Sequence, residues 1–523
     1  MEDKKKELDD GLKLLAKSAV IVFISFSLAK IFGYLYRVII ARYFGPEVYG
    51  LFTLATVIVG FLVTLALLGF DGGVLRFISF YRGKNEVNKM RYLFKTSFWI
   101  LLSFSLIISI ISFFLSGYIS ESIFHNDDLT PFLKIYSLII PFWVLSLFSI
   151  SVMRAFEKIK EVSIIDSVIQ SAIKVILLVI LIFFGFKLNS VIFSFIIGIL
   201  ITFSLAYSYC KIMLPQLFFP YRLSKKSKKL IFSKFVKYSL PVLFLTILSG
   251  VLYWVDSFMI GLFKSASEVG LYNAAIPIVL LLNIAPEIFL RLFLPMVTKE
   301  YSLQNMDFIK KISKQIGKWV LILNLPVFLI MIVFPDIILN ILFGPDYITA
   351  APSLRILSIG ALFYSIFVIS DNLLSMAGKS KIIFYDVVAA GILNSILNFI
   401  LIRQPVIFGL DNSLGINGAA IATTISFSFY SMLFWIQARH YTSISPLKKE
   451  MIRVFLAALT PLLVILFFKG FLQITNFVFA MLSGIFVLLY LILLFLFRAF
   501  DENDMFIIKT FKKKINSYNY FNR

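Results

Sequence analysis

The chain has 523 residues, 60% of them hydrophobic, with a mean hydropathy of +0.94 and a formal net charge of +22. Soluble domains are roughly 45–50% apolar, and a soluble chain of this size would need several separate cores to hide so much apolar surface. Lipid as the solvent removes that problem, so the soluble classes are excluded. The charge does not indicate nucleic acid, because Lys and Arg fall in clusters between long apolar runs rather than on one basic domain. A lone Cys210 excludes an intrachain disulfide or a cysteine metal cluster, and His125 and His440 are too few and too far apart for a metal site. No metal and no cofactor is expected.

A bilayer core of about 30 Å needs about 20 helical residues. Apolar runs broken by charge or by Gly and Pro predict fourteen spans. In chain order they are 12–44, 47–70, 92–119, 131–156, 162–186, 188–212, 234–263, 268–297, 315–343, 350–377, 381–402, 414–438, 450–469 and 474–497. The fold class is therefore all-α and polytopic. The polar start through Lys6 leads into a long first span, which is no cleavable signal peptide. With the N-terminus cytoplasmic, 39 of the 50 Lys and Arg fall in cytoplasmic loops or tails and 6 in outer loops. That asymmetry supports both the number of spans and their direction, and it places both termini in the cytoplasm. The basic loops would meet anionic membrane lipids.

The chain reads as two related six-span lobes, 1–212 and 234–440, joined by a basic linker, 213–233. Two added spans and a basic tail follow in 441–523. Phe44-Gly-Pro-Glu-Val-Tyr-Gly-Leu-Phe-Thr-Leu-Ala55 follows span one, and Phe263-Lys-Ser-Ala-Ser-Glu-Val-Gly-Leu-Tyr-Asn-Ala274 follows span seven. Both read Phe, turn, Glu-Val, Gly-Leu-aromatic, Ala. Met153-Arg-Ala-Phe-Glu-Lys-Ile-Lys160 and Met376-Ala-Gly-Lys-Ser-Lys381 match more weakly after spans four and ten. Six is even, so the lobes share topology about an axis along the membrane normal, the build of transporters that rock two halves about a substrate.

Charges in the spans mark the candidate site, since each costs about 2.5–3.5 kcal/mol on a lipid face. Lys30, Tyr34 and Arg37 share one face of span one, with Gly33 permitting a bend. Span five carries Asp166, Gln170 and Lys174 at spacing four, flanked by Ser163, Ser167 and Ser171. Later spans hold Asp256, Glu287 with Arg291 four residues on, Arg355, Asp371, Asn394 and Asn398. The cations Lys30, Arg37, Lys174 and Arg291 are the expected substrate contacts. Asp166, Gln170, Asp256, Glu287 and Asp371 are the expected polar or coupling residues. The surplus of cations over acids in the first lobe favours an anionic ligand, and a guanidinium fork matches phosphate oxygens. The bland reading is snorkelling or pairing with the other half's acids for Lys30, Arg37 and Lys174, and neutralisation within the helix for Glu287 and Arg291, while Asp256 suits helix packing and gating equally.

Gly45-Pro-Glu-Val-Tyr-Gly-Leu-Phe52 resembles the signature of the polysaccharide-transport branch of the multidrug/oligosaccharidyl-lipid/polysaccharide exporter superfamily. So do Ser239-Leu-Pro with Val255-Asp-Ser-Phe-Met-Ile-Gly261, Leu342-Phe-Gly-Pro-Asp-Tyr347 with Ala350-Ala351, and Leu414-Gly-Ile-Asn-Gly-Ala-Ala-Ile-Ala-Thr423. The similarity spans about residues 12–440. It implies a flippase that carries a polyprenyl-diphosphate-linked oligosaccharide, or a polysaccharide repeat unit, outward by alternating access. Peptidoglycan-precursor flippases of the lipid II type also suit fourteen spans, and a cation-coupled multidrug exporter is the second alternative. Members of that branch commonly place an acid in span one, whereas this span holds Lys30 and Arg37.

No enzyme is expected. Gly378-Lys379-Ser380 lacks the upstream Gly of a phosphate-binding loop, having Leu373 there, and no G-x-S-x-G, H-E-x-x-H or Cys-x-x-Cys pattern occurs. A membrane glycosyltransferase would need paired acids in a sizeable outer loop, and the short Asp127-Asp128 loop is the one candidate. Moving two negative charges outward across about 100 mV, inside negative, releases about 4.6 kcal/mol. Inward coupling of H+ or Na+ is thus allowed but not required.

Overall fold

The computed structural model describes the backbone of residues 2–403, 406–407, 410–411, 414–500 and 504. Side chains are described for 24–403 and 414–500, except at residues 251, 291, 292, 294–296, 299 and 302, and for Asp504. Among these residues the chain is helical throughout, apart from a two-residue antiparallel hairpin, β1 (Val406–Ile407) with β2 (Leu410–Asp411). Thirteen helices among the described residues are long and apolar enough to cross a membrane. The first, Ile24–Ala66, has 43 residues, and an unbroken helix of that length would run about 65 Å. It contains a kink at Gly45 (φ 80°, ψ 179°) followed by Pro46, so it supplies two spans and the chain is a multi-pass membrane protein with about fourteen. The helix runs on through Gly33, and the bend sits where Gly tolerates positive φ and Pro starts the next helix.

The chain forms two compact units, Met1–Asn273 and Ala274–Arg523. In the first, α1 (Glu2–Ala66) turns through Leu68 and Gly69, both at positive φ, into a short helix, α2 (Phe70–Gly83). The next elements are α3 (Val87–Tyr118), α4 (Leu129–Ala155), α5 (Ile159–Val162), α6 (Gln170–Phe183), α7 (Asn189–Met213) and α8 (Lys225–Phe263). Helix α8 already begins in the expected linker, where Ser224 caps it by accepting from the Ser227 amide. The segment between α5 and α6, Ser163–Ile169, is a π-helical stretch, so span five is widened near its start. Helix α9 (Ala266–Val279) crosses from the first unit into the second.

Within the first unit the two repeated motifs lie against each other. A Cβ on Gly50 would overlap the Ala266 carbonyl oxygen, and one on Gly270 would overlap that of Pro46. Only glycine lets these backbones meet so closely. The Tyr49 hydroxyl donates to the Asn273 carbonyl at 3.2 Å across the same crossing.

The second unit continues with α10 (Ile284–Ser302), α11 (Met306–Val333), α12 (Pro335–Leu342), α13 (Ala351–Met376), α14 (Ser380–Asn398), α15 (Ile416–Thr442), α16 (Met451–Phe471) and α17 (Asn476–Leu496). Span eight is interrupted at Leu280–Asn283, and Pro335 ends span nine at Val333 rather than near 343. The weaker repeat is legible in the helix ends. Lys158 N–H bonds the Met153 carbonyl and Lys379 N–H that of Leu374, with Glu157 and Gly378 both left-handed. Both are the same C-terminal capping pattern, so Gly378 closes a helix.

Candidate functional site

The charged residues of spans one and five converge within the first unit. Arg37, exposed on α1, hydrogen-bonds the Tyr49 hydroxyl, and Tyr34 faces the same tyrosine. Lys174 on α6 lies within electrostatic range of both Arg37 and Asp166. Its Nζ stands 4.4 Å from the Phe195 ring centroid on α7. Its stem lies over Gly198, where an added Cβ would come within 2.6 Å of Lys174 Cγ. Phe195 is itself held by Tyr136, at 4.8 Å between centroids, and Phe52, at 5.8 Å. The Tyr36 hydroxyl ties α1 to α7 through Ser194 Oγ at 3.0 Å.

Asp166 sits in the π turn, which widens the helix and turns its carboxylate toward Arg154 at the end of α4, at 3.4 Å. Together they line a cavity of about 390 Å³ with Ser163, Ser167 and Leu75. Arg154 lies among the basic loop residues by sequence, so its part here is not visible there. Gln170 follows half-buried on the next turn. Arg154 and Lys174 thus act on one acid, Asp166, and Arg37 lies within electrostatic range of Lys174, so three cations stand with one acid and leave a surplus of two positive charges. Neither Arg37 nor Lys174 makes an ion pair with a carboxylate among the described residues. Lys30 lies about two turns before Arg37, exposed, with Nζ 4.9 Å from the Phe26 ring.

The other candidates lie elsewhere. Asp256, 3% exposed, accepts a 2.6 Å bond from the Tyr272 hydroxyl beside a Ser257–Asn273 pair, which is a helix-packing arrangement. Glu287 is half-buried on α10, and the side chain of Arg291 lies outside the described residues. Arg355 donates to the Ile332 carbonyl at 3.1 Å and pairs with Asp336 at 3.6 Å. Asn394 binds Thr423 Oγ1 at 3.1 Å, joining α14 to α15. Asp371 is half-buried on α13, with no cation or hydrogen-bond donor against it among the described residues. No group of three or more metal-ligating side chains occurs among the described residues.

A putative O-antigen transporter of Shigella flexneri is 27% identical over 353 residues, covering 66% of this chain and 80% of that one. A probable low-salt glycan biosynthesis flippase, Agl15, of Haloferax volcanii is 27% identical over 260 residues, half of each chain. Among solved structures, the lipid II flippase MurJ in an inward closed conformation superposes with a TM-score of 0.74. It is 18% identical, and the match covers 92% of this chain and 99% of that one. An inward-facing multidrug resistance MATE family transporter gives a TM-score of 0.64 at 13% identity, over 81% and 98%. These two likenesses establish a shared fold. A MatE family model matches residues 241–400. The family model described as polysaccharide biosynthesis protein matches residues 15–299, more than half of the sequence, and the chain belongs to that family.

Proposed function

We propose that this protein is a flippase that moves a polyprenyl-diphosphate-linked oligosaccharide or repeat unit from the cytoplasmic to the outer leaflet of the cell membrane. The observation that carries this reading is the run of cations Arg37, Lys174 and Arg154, the last two acting on the single acid Asp166, whose surplus of two positive charges equals the two negative charges of a diphosphate diester. Of the five N–H groups on Arg37, the Tyr49 bond uses one, leaving the fork for phosphate oxygens. The names of the O-antigen and glycan relatives support the same substrate class.

Orientation follows the Lys and Arg distribution, with both ends cytoplasmic. Reporter fusions after Lys229 and Arg523 are expected to read cytoplasmic and one near Asp127 external. An external reading after Arg523 would contradict the fourteen-span topology. The two six-span lobes, 1–212 and 234–440, act as the alternating halves, with 441–523 added to the second. Transport needs no chemistry on the substrate, and the membrane potential drives the anion outward. Asp371, an acid in a span with no partner among the described residues, is the candidate for coupling to H+ or Na+ where coupling occurs. A peptidoglycan precursor is the second reading, favoured by the fold likeness to the lipid II flippase across nearly the whole chain.

The test is transport by the purified protein in proteoliposomes, with polyprenyl-diphosphate oligosaccharides, lipid II and a cationic drug as substrates. The first class is expected to move fastest. Drug transport without any polyprenyl-diphosphate transport would overturn the proposal.

A further inference from the structure

A second cationic cavity, of about 860 Å³, lies in the first unit where α2 packs on the first turns of α8. Arg76, Lys234, Lys237, Phe77, Phe80 and Tyr238 line it. The sequence builds this place with glycines. A Cβ on Gly69 would run into the Ser239 carbonyl oxygen, one on Gly72 would come within 2.9 Å of Val242 Cγ1, and one on Gly73 would press on the Phe235 ring. Helix α2 can therefore lie directly on α8. Phe70 and Phe77 then meet Phe235 edge-on, at 4.7 and 5.9 Å, and make a rigid aromatic floor.

The cations on this floor differ from two basic residues near them, Arg82 and Lys89. Arg82 pairs with Glu157, and Lys89 with Glu86. Arg76, Lys234 and Lys237 are exposed, and none of the three makes an ion pair among the described residues. Arg76 is instead held flat over Tyr238, its guanidinium carbon 4.3 Å from the ring centroid. Charge that only sets topology needs no walls around it. Three positive groups converging in one concavity focus the field on whatever anion enters.

We propose that this cavity receives the diphosphate headgroup of the lipid-linked saccharide before it reaches the Arg37–Lys174 cluster. The proposal rests on the transport reading above for the substrate and for the cytoplasmic side. A phospholipid phosphodiester brings one negative charge, whereas the diphosphate brings two to meet three cations. The volume leaves room for an adjoining sugar against the faces of Phe77, Phe80 and Tyr238.

The probe is inorganic pyrophosphate, titrated calorimetrically into the full-length protein in phosphatidylcholine nanodiscs. An Arg37→Ala background weakens the other cluster's contribution. Arg76→Gln/Lys234→Gln/Lys237→Gln is expected to weaken binding about tenfold or more, the loss of charge-assisted hydrogen bonds. Lys225→Gln/Lys226→Gln/Lys229→Gln removes the same charge from exposed positions outside the cavity and is expected to stay within about twofold. Should the cavity triple variant fail to fold, Lys237→Gln alone carries the test, with a loss of about threefold. Equal affinities for the cavity and control variants would overturn the proposal. Nanodiscs containing phosphatidylglycerol separate the two sources of phosphate. The difference between variants is expected to persist there, and its disappearance would assign the cavity to bulk anionic phospholipid and overturn the proposal. None of these titrations depends on transport. The transport reading fails separately, if the unaltered protein moves no polyprenyl-diphosphate sugar in proteoliposomes.

Discussion

Two charged clusters, one in each compact unit, use the same side chains to opposite ends. In the second unit Lys318 on α11 and Asp504 are both fully buried and form an ion pair. The Ala499 carbonyl accepts from Lys318 at 3.1 Å, Trp319 Nε1 donates to Asp504 at 2.9 Å, and Gln315 donates to the same carboxylate. Each charge is neutralised and its hydrogen-bonding capacity is largely used, which is what keeps a buried pair tolerable. In the first unit Lys174 lies within range of one acid, Asp166, which Arg154 already engages at 3.4 Å, and of a further cation, Arg37. A satisfied cluster holds helices together. An unsatisfied one retains attraction for a ligand, and the difference separates structure from function more sharply than the presence of charge in a span.

The largest expected effect breaks the satisfied cluster. Lys318→Met leaves a buried carboxylate without its counter-charge and is expected to cost about 3–5 kcal/mol, read as a lowered thermal midpoint in detergent and less protein in the membrane. Lys318→Met/Asp504→Leu should restore most of that loss, and transport per folded molecule should not change. If the single variant is as stable as the unaltered protein, the pair is not what anchors Asp504.

The converse holds for the unsatisfied cluster. Lys174→Met should reduce transport by about 1.5–3 kcal/mol of lost charge-assisted binding, roughly tenfold to a hundredfold, with the thermal midpoint nearly unmoved. A large fall in stability with normal transport by the folded fraction would move Lys174 into the structural class.

A smaller effect is expected at the glycine crossing of the repeated motifs. Gly50→Ala forces the α1 and α9 backbones apart and should cost about 1–3 kcal/mol by overpacking, measured by thermal unfolding. An equally stable variant would mean the crossing is looser than its geometry. The smallest effect is at Asp371, which has no partner to lose among the described residues. Asp371→Asn should leave stability within about 0.5 kcal/mol, and any change should appear in the dependence of transport on a pH or Na+ gradient.

The spans were legible in the sequence because lipid demands long apolar runs, and Gly45-Pro46 marked the first turn because φ 80° favours glycine there. The grouping of Arg37, Lys174 and Asp166 was half legible, since helical spacing shows a shared face but not which helices meet. Arg154 escaped because a cation at a helix end reads as topology, and only the π turn at Ser163–Ile169 aims Asp166 at it. No residue pattern announces an extra residue in a helical turn. Lys318, near the start of the ninth span, shows no partner in the sequence, since Asp504 lies 186 residues away beyond the last span. The α2 helix was missed because glycines at 69, 72 and 73, which suggest a loop, here serve close packing on α8.

The most direct test of the central claim is charge reversal against charge retention at Arg37. Flipping of a polyprenyl-diphosphate oligosaccharide would be measured in proteoliposomes holding equal amounts of each folded variant. Arg37→Lys should keep part of the rate, because charge survives while the bidentate fork is lost. Arg37→Ala should be slower, and Arg37→Glu slower still, since a carboxylate there repels the phosphates in a weakly screened site. Transport by Arg37→Glu at the unaltered rate would contradict the assignment of this cluster as the diphosphate site.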